Sequence, residues 1–351
     1  MSLIFNWSNI KERSKAYSYD DVLIVPSMSN VKSRREPDLS SQLTKKVSLG
    51  LPFISANMDT ITESDMAISM HNLGAMGILH RFMTIEDQVN EVKKVADKGI
   101  KNISASIGVN QDFKERAQAL VEAGVNIVTV DIAHGHSVSM IETLDWLKST
   151  FSHVEVIAGN VATPQGVEDL INSGADAIKV GIGPGSMCTT RVITGCGVPQ
   201  LTAVALCAEV TKKHNVPLIA DGGIKNSGDI MKALAAGADT VMLGSLLSGA
   251  IETPGPIKSG KKQYRGMASK SAQVSWRGGV PKGMAAEGES TMVSIKGHTK
   301  DVVFELAGGI RSGMSYINAM SIPEIKENAQ FIEMSGMGHF ESNAHGLGQR
   351  V

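Results

Sequence analysis

A single (β/α)8 barrel, a TIM barrel, is the fold class that this sequence predicts, on three observations. Eight short apolar runs recur between about residues 50 and 250. Segments with helical spacing separate them. Polar residues collect just past the ends of the runs, where a barrel keeps its chemistry. A chain of 351 residues suits one such unit, since barrels of roughly 250 residues and more are single domains.

The runs are PFISAN (52–57), AMGILH (75–80), NISASIG (102–108) and NIVTVDIA (126–133), then VEVIAGN (154–160), DAIKVGIG (176–183), PLIADGG (217–223) and TVMLGS (240–245). Nearly continuous apolar strands alternating with helices are what a parallel sheet covered on its outside requires. Each of the first seven runs is followed by a helical pattern, such as IEDQVNEVKKVADKG or GDIMKALAAGAD. The phrases EAGVNIVTVD, NSGADAIKVG and AAGADTVMLG repeat a glycine helix end followed at once by a buried strand. Eight units favour closure over an open doubly wound sheet.

After the eighth run the pattern changes. Residues 252–300 are too long and polar for a barrel connection and predict a hairpin with a mobile flap over the barrel mouth. DVVFELAGGIRSGMSYI supplies a last helix, and the glycine-rich tail from about 335 to 351 predicts irregular structure or order lent by a neighbouring subunit. The whole chain, 1–351, is expected to be one catalytic domain.

Composition excludes several classes. A formal charge of -1 gives no reason to expect nucleic acid or an anionic membrane as partner. No run approaches the ~18 apolar residues of a membrane span, and the first residues lack the apolar core of a signal peptide. Three cysteines are too few for a disulfide framework, which points to the cytoplasm.

The chemistry gathers around GIGPGSMCTTR, residues 181–191. Cys188 lies in a glycine-rich loop directly after an apolar strand, a setting for a nucleophile once its thiolate is favoured. Thr190 can pass a proton but is no strong base. Cys207, in the helical TAVALCAEV, reads as a buried hydrophobe, and Cys196, between two glycines, as structural. Asp221, Gly222 and Gly223 after the seventh run, with Gly244 and Ser245 after the eighth, form the loops that commonly hold phosphate in this fold. Asp131 heads DIAHGHS, but one carboxylate with His134 and His136 falls short of a zinc ligand set. His80 reads as a satisfied polar residue, Glu287 as a solvated loop carboxylate, and KSGKKQYR as a solvated hairpin. Met58, Met187 and Met267 fall in loops where they can line a flat aromatic ligand.

YSYDDVLIVPS, SANMDT, VDIAHGHS, AGNVAT, KVGIGPGSMCTTR, VPQL, ADGGI, MLGS, YRGMAS and GGIRSGMSYI together resemble the IMP dehydrogenase and GMP reductase family, over nearly the whole chain. The resemblance implies that Cys188 attacks C2 of a purine nucleotide (GMP or IMP) and forms a covalent thioimidate. It implies that Thr190 and Glu287 protonate leaving ammonia, and that NADPH delivers a hydride. By the same resemblance the cofactor meets Ser33 and Arg34 of a neighbouring subunit, Arg81, Asp131, Ile132, Ala133, Gly181, Met267, Ser315, Tyr316, Ile317 and Asn318. The nucleotide meets Asp221, Gly222, Gly223, Gly244, Ser245, Gly266, Met267, Ala268, Ala286, Glu287 and Gly288. A monovalent cation, K+, is held at Gly183, Gly185 and Cys188, and the assembly is a homotetramer. VKSRREPDL, the GGV-bearing flap and the absence of a flap tyrosine favour the reductase. The tail's ESNAHG and LTKKVSLGLPFISANMDT have a dehydrogenase flavour, so a dehydrogenase without the regulatory CBS pair is the alternative; a purine-sensing barrel without turnover is the reading from another class.

Overall fold

In the computed structural model, which describes residues 4–12 and 15–343, all eight apolar runs are strands of one closed parallel barrel. They are β1 (Phe53–Ser55), β2 (Met76–Leu79), β3 (Ser104–Ile107), β4 (Ile127–Asp131), β5 (Glu155–Val161), β6 (Ala177–Val180), β7 (Leu218–Asp221) and β8 (Thr240–Leu243). Closure comes from β8 pairing with β1, Val241 opposite Phe53 and Leu243 opposite Ser55. Every residue of β1, β2, β3, β6 and β8 is buried. Burial on both faces is why these runs are continuous rather than alternating.

The outer ring is α1 (Ser64–Asn72), α2 (Ile85–Ala96), α3 (Phe113–Glu122), α4 (Val138–Thr150), α5 (Pro164–Asn172), α6 (Gln200–His214), α7 (Ser227–Ala235) and α8 (Thr299–Tyr316). Side-chain caps fix several starts: Thr84 accepts from the Asp87 amide at 3.1 Å and Asn226 from the Asp229 amide at 2.9 Å. Each such cap is worth about 1 kcal/mol. The repeated glycine phrases stop helices as expected, with Gly174 at φ +93° and Gly237 at φ +114°, a region closed to most side chains.

The insertion after β8 is a two-stranded hairpin, β9 (Lys261–Arg265) and β10 (Ser290–Ser294), with the flap between them. One element was not foreseen here and one reading fails. The flap carries a helix, Lys270–Arg277, capped by the Ser269 hydroxyl and ended by left-handed Gly278. The hairpin is also not a merely solvated basic run. Lys262 is 3% exposed and its ammonium donates to the carbonyls of Ile251 at 2.9 Å and of Thr253. Arg265 forms an ion pair with Asp59, its Nε 3.1 Å from Oδ2, and also donates to the Ser271 carbonyl at 3.0 Å.

A three-stranded antiparallel sheet of Ile4–Phe5, Phe331–Glu333 and Val22–Ile24 joins the two ends of the described chain. The tail departs from the irregular structure expected of it, since Gly336–Glu341 is helical with Ser335 as its cap. The rest of the tail, including the last part of ESNAHG, lies outside the described residues. No helix among the described residues is long and apolar enough to cross a membrane.

Candidate active site

The barrel mouth holds a cavity of about 650 Å³. Its position follows from chain direction: parallel strands put all their C-terminal ends, and the loops after them, on one side. Cys188 lines it from the β6 loop, Asp131 from the end of β4, Asp221 to Gly223 from β7, and Gly244 and Ser245 from β8. Met58, Met187 and Met267 line it as well, as do Gly181, Gly183, Gly185, Gly266, Ala268, Arg81, Ile132 and Ala133.

Cys188 heads a chain of hydrogen bonds. Its thiol donates to Thr190 Oγ1 at 3.1 Å, and the Thr190 hydroxyl donates to Glu287 Oε2 at 2.8 Å. Glu287, read from sequence alone as a solvated loop group, is therefore fastened to the nucleophile loop. Backbone bonds do the fastening: the Thr189 amide donates to the Glu287 carbonyl at 3.2 Å and the Glu289 amide to the Met187 carbonyl at 2.9 Å. Gly288 between them faces Cys188 as an antiparallel bridge. A Cβ there would come within 3.1 Å of both the Met187 carbonyl oxygen and the Ser269 nitrogen, tighter than an ordinary contact. Arg191 braces the same loop from below, donating to the Ile182 carbonyl at 3.1 Å and the Val198 carbonyl at 2.5 Å. Burial lowers its guanidinium, and negative charge on Cys188 acts the other way.

The floor of the cavity is an ionic network that sequence reading missed. Lys179, 2% exposed on β6, places its ammonium 2.7 Å from Asp131 Oδ1 and 2.7 Å from Asp221 Oδ2, with Asn160 Oδ1 as third acceptor. Asn57 donates to Asp131 at 2.8 Å and Asn160 to Asp221 at 2.9 Å. All three ammonium protons are used, which is what a buried lysine needs to stay charged. Burial pulls the Lys179 pKa down, but Asp131 and Asp221 more than offset it and hold it above the usual lysine range. Burial likewise pushes Asp131 up, and Lys179 with Asn57 more than offsets that, leaving it below the usual carboxylate range. The signal was present in the sequence: a lone lysine inside DAIKVGIG, a run otherwise fit only for burial.

Two further cavity residues escaped notice. The Tyr264 hydroxyl lies 3.0 Å from Ser186 Oγ, and an added Cβ on Gly244 would stand 3.2 Å from it. Both belong to the phosphate-loop side. Gln200 also lines the cavity and donates to the Val180 carbonyl at 2.9 Å.

Other expected residues lie elsewhere. Ala286 and Gly288 are in the flap but do not line the cavity. Arg34 and Tyr316 stack on each other away from it, Cζ 5.5 Å from the ring centroid, and the Asn30 amide bonds to Asn318 at 2.8 Å. Ser33 and Ser315 do not line the cavity either, and Ile317 is 1% exposed, so its side chain belongs to the core. Cys207 is buried as expected, whereas Cys196 is exposed and plays no part in core packing. His80 is buried beside Glu63, at 3.2 Å, and His136 meets Asp169 at 2.8 Å. Among the described residues no cluster of three or more His, Cys, Asp or Glu could hold a metal ion.

Comparison with known proteins gives a consistent picture. The sequence profile described as IMP dehydrogenase / GMP reductase domain matches residues 16–345. The inosine-5'-monophosphate dehydrogenase of Cryptosporidium parvum is 42% identical over 388 residues, covering 95% of this chain and 96% of that protein. The enzyme of the same name from Nitrosopumilus maritimus is 36% identical over 470 residues, covering 95% and 99%. Among solved structures, a GMP reductase variant from Trypanosoma brucei in complex with guanosine 5'-monophosphate superposes with a TM-score of 0.90 at 32% identity, covering 96% of this chain and 99% of that one.

Proposed function

Because the chain belongs to the IMP dehydrogenase / GMP reductase family, we propose that it is its reductive member, converting GMP and NADPH to IMP, NADP+ and ammonia. The observation that carries this reading is the unbroken path from the Cys188 thiol through Thr190 to Glu287. A dehydrogenase must activate water to release its product from the cysteine. A reductase must instead protonate a departing amine, and a carboxylate reached through one hydroxyl does that.

The steps balance as follows. The Cys188 proton moves through Thr190 to Glu287, and the thiolate adds to C2 of guanine. The same proton returns through Thr190 to the exocyclic amine, the C2–N bond breaks, and ammonia leaves a thioimidate on Cys188. A reduced nicotinamide supplies the hydride that C2 then takes up. The C–S bond breaks, its electron pair returns to Cys188 as thiolate, and one proton taken up from solvent restores the thiol for the next turnover. Asp221 offers a carboxylate to the ribose hydroxyls beside the phosphate loops.

The residues present fit a flat dinucleotide ring. Met58, Met187 and Met267 offer apolar walls, and Arg81 Nε is buried without a hydrogen-bond partner. Ser33, Arg34 and the segment Ser315–Asn318 would serve the cofactor of an adjoining subunit in a homotetramer, since none of them lines this cavity. Gly183, Gly185 and Cys188 would give backbone carbonyls to K+, whose hydration such oxygens replace. One loop supplies at most three, so the remaining ligands come from outside it. A cytoplasmic place in purine interconversion fits this activity.

The dehydrogenase reading is favoured by the names of the curated relatives. One assay separates the two. Ammonia release from GMP with NADPH is the expected result; NADH formation from IMP with NAD, and no ammonia from GMP, would replace this conclusion with the other.

A further inference from the structure

Three arginines line the cavity without a carboxylate partner: Arg191, whose guanidinium is occupied by the Ile182 and Val198 carbonyls, and Arg81 and Arg277. Among the described residues neither Arg81 nor Arg277 forms an ion pair with a carboxylate, though both face the same space. Asp131 is the nearest acid to Arg81, but its two oxygens are taken by Lys179 and Asn57. Aromatic rings hold the two guanidinium groups in place. Arg81 Cζ lies 4.7 Å from the Phe82 centroid and Arg277 Cζ 3.8 Å from that of Trp276. Phe82 and Trp276 meet edge to face at 5.4 Å. The result is a ladder, Arg81–Phe82–Trp276–Arg277, along one wall. Burial lowers the Arg81 guanidinium; Asp131 and Asp112 act the other way, and Arg116 and, least, Arg277 add to the lowering. Two guanidinium groups that face one cavity with no carboxylate partner form a site that an anion relieves. Arginine forks match phosphate oxygens in particular.

We propose that Arg277, with Arg81, clamps the diphosphate bridge of the nicotinamide dinucleotide. The inference rests on the reading that such a dinucleotide lies in this cavity. Position selects the diphosphate over the more distant 2'-phosphate. Arg81 stands next to Asp131 near the cavity floor, Arg277 at the rim, and the diphosphate follows one ribose beyond the reacting ring. Arg277 sits at the exposed end of the flap helix, on the same segment that carries Glu287.

The test measures equilibrium binding of NADPH and of NADH to the full chain in the presence of IMP, which does not react with a reduced dinucleotide. Wild type, Arg277→Ala and Arg277→Lys are compared. A second measurement is turnover of GMP with reduced nicotinamide riboside, which lacks phosphate. Arg277→Ala should weaken both dinucleotides about tenfold, the scale of a lost charge-assisted bond. Arg277→Lys should recover part of this, and turnover with the riboside should not change. Equal loss with the riboside would mean that Arg277 only positions the flap. Loss confined to NADPH would move the contact to the 2'-phosphate. Either result, or no loss at all, overturns the clamp. Failure of the wild type to bind either dinucleotide would remove the functional reading and the clamp with it.

Discussion

Thr190 and Glu287 are 97 residues apart in the chain, yet the Thr190 hydroxyl donates to Glu287 Oε2 at 2.8 Å. The pairing depends on the hairpin β9–β10, whose register returns the flap to the loop it left. It makes the flap a part of the reacting centre rather than a cover.

Removing the carboxyl while keeping its shape isolates the proton path. Glu287→Gln should leave GMP binding within about threefold and cut ammonia release by roughly 10²–10⁴, the usual range for a lost general acid–base. Thr190→Val should fall in the same range, and the double variant should cost no more than either single, since both interrupt one path. Steady-state rates settle this; additive losses would mean two separate roles.

Lys179 offers a second check. Lys179→Met leaves two carboxylates facing each other in the barrel and should lower stability by about 3–5 kcal/mol. Chemical denaturation measures it. Lys179→Arg keeps the charge but cannot place three donors on the same acceptors. It should fold while binding nucleotide and dinucleotide more weakly. Wild-type affinities in that variant would show that the network is structural only.

The same network sets a pH window. Asp131 titrates below its unfolded value, so its contribution is complete above that value and lost as pH falls through the folded one. Lys179 titrates above its unfolded value, so its contribution is complete below that value and lost as pH rises through the folded one. Thermal midpoints should be level from about pH 5 to 9 as far as this pair is concerned. They should fall in acid and again in strong alkali, and Asp131→Asn should flatten the acid limb. An unchanged acid limb in that variant would assign the loss to other carboxylates.

Thiol chemistry gives a third measurement. Burial pushes the Cys207 thiol up to about 12, and it has no route to solvent, whereas Cys196 is exposed and Cys188 half-buried. A disulfide reagent at neutral pH should label two thiols in the folded chain and the third only on unfolding. Saturating GMP should leave Cys196 alone reactive. Protection of Cys196 instead of Cys188 would place the nucleotide elsewhere.

Most of the barrel was legible because its strands are buried on both faces, which forces unbroken apolar runs such as NIVTVDIA. Cys188 was legible because a loop cysteine among glycines has no packing reason to be there. The helix Lys270–Arg277 was not, since only Ala272 and Gln273 of it are buried and no apolar stripe marks it. Its cap Ser269 and stop Gly278 were the readable signs. The solvated reading of Arg265 failed for a related reason: its partner Asp59 lies 206 residues away, beyond any local pattern. Arg34 and Tyr316 were placed in the site by resemblance alone, and they pair with each other without lining the cavity this chain forms.

The bridge between Cys188 and Gly288 also turns the flap into a clock. Raising the flap must break the bonds from the Thr189 and Glu289 amides, so those two hydrogens can trade with deuterated solvent only when it lifts. Their exchange, followed with each ligand in turn, would report which of them holds the reacting centre shut.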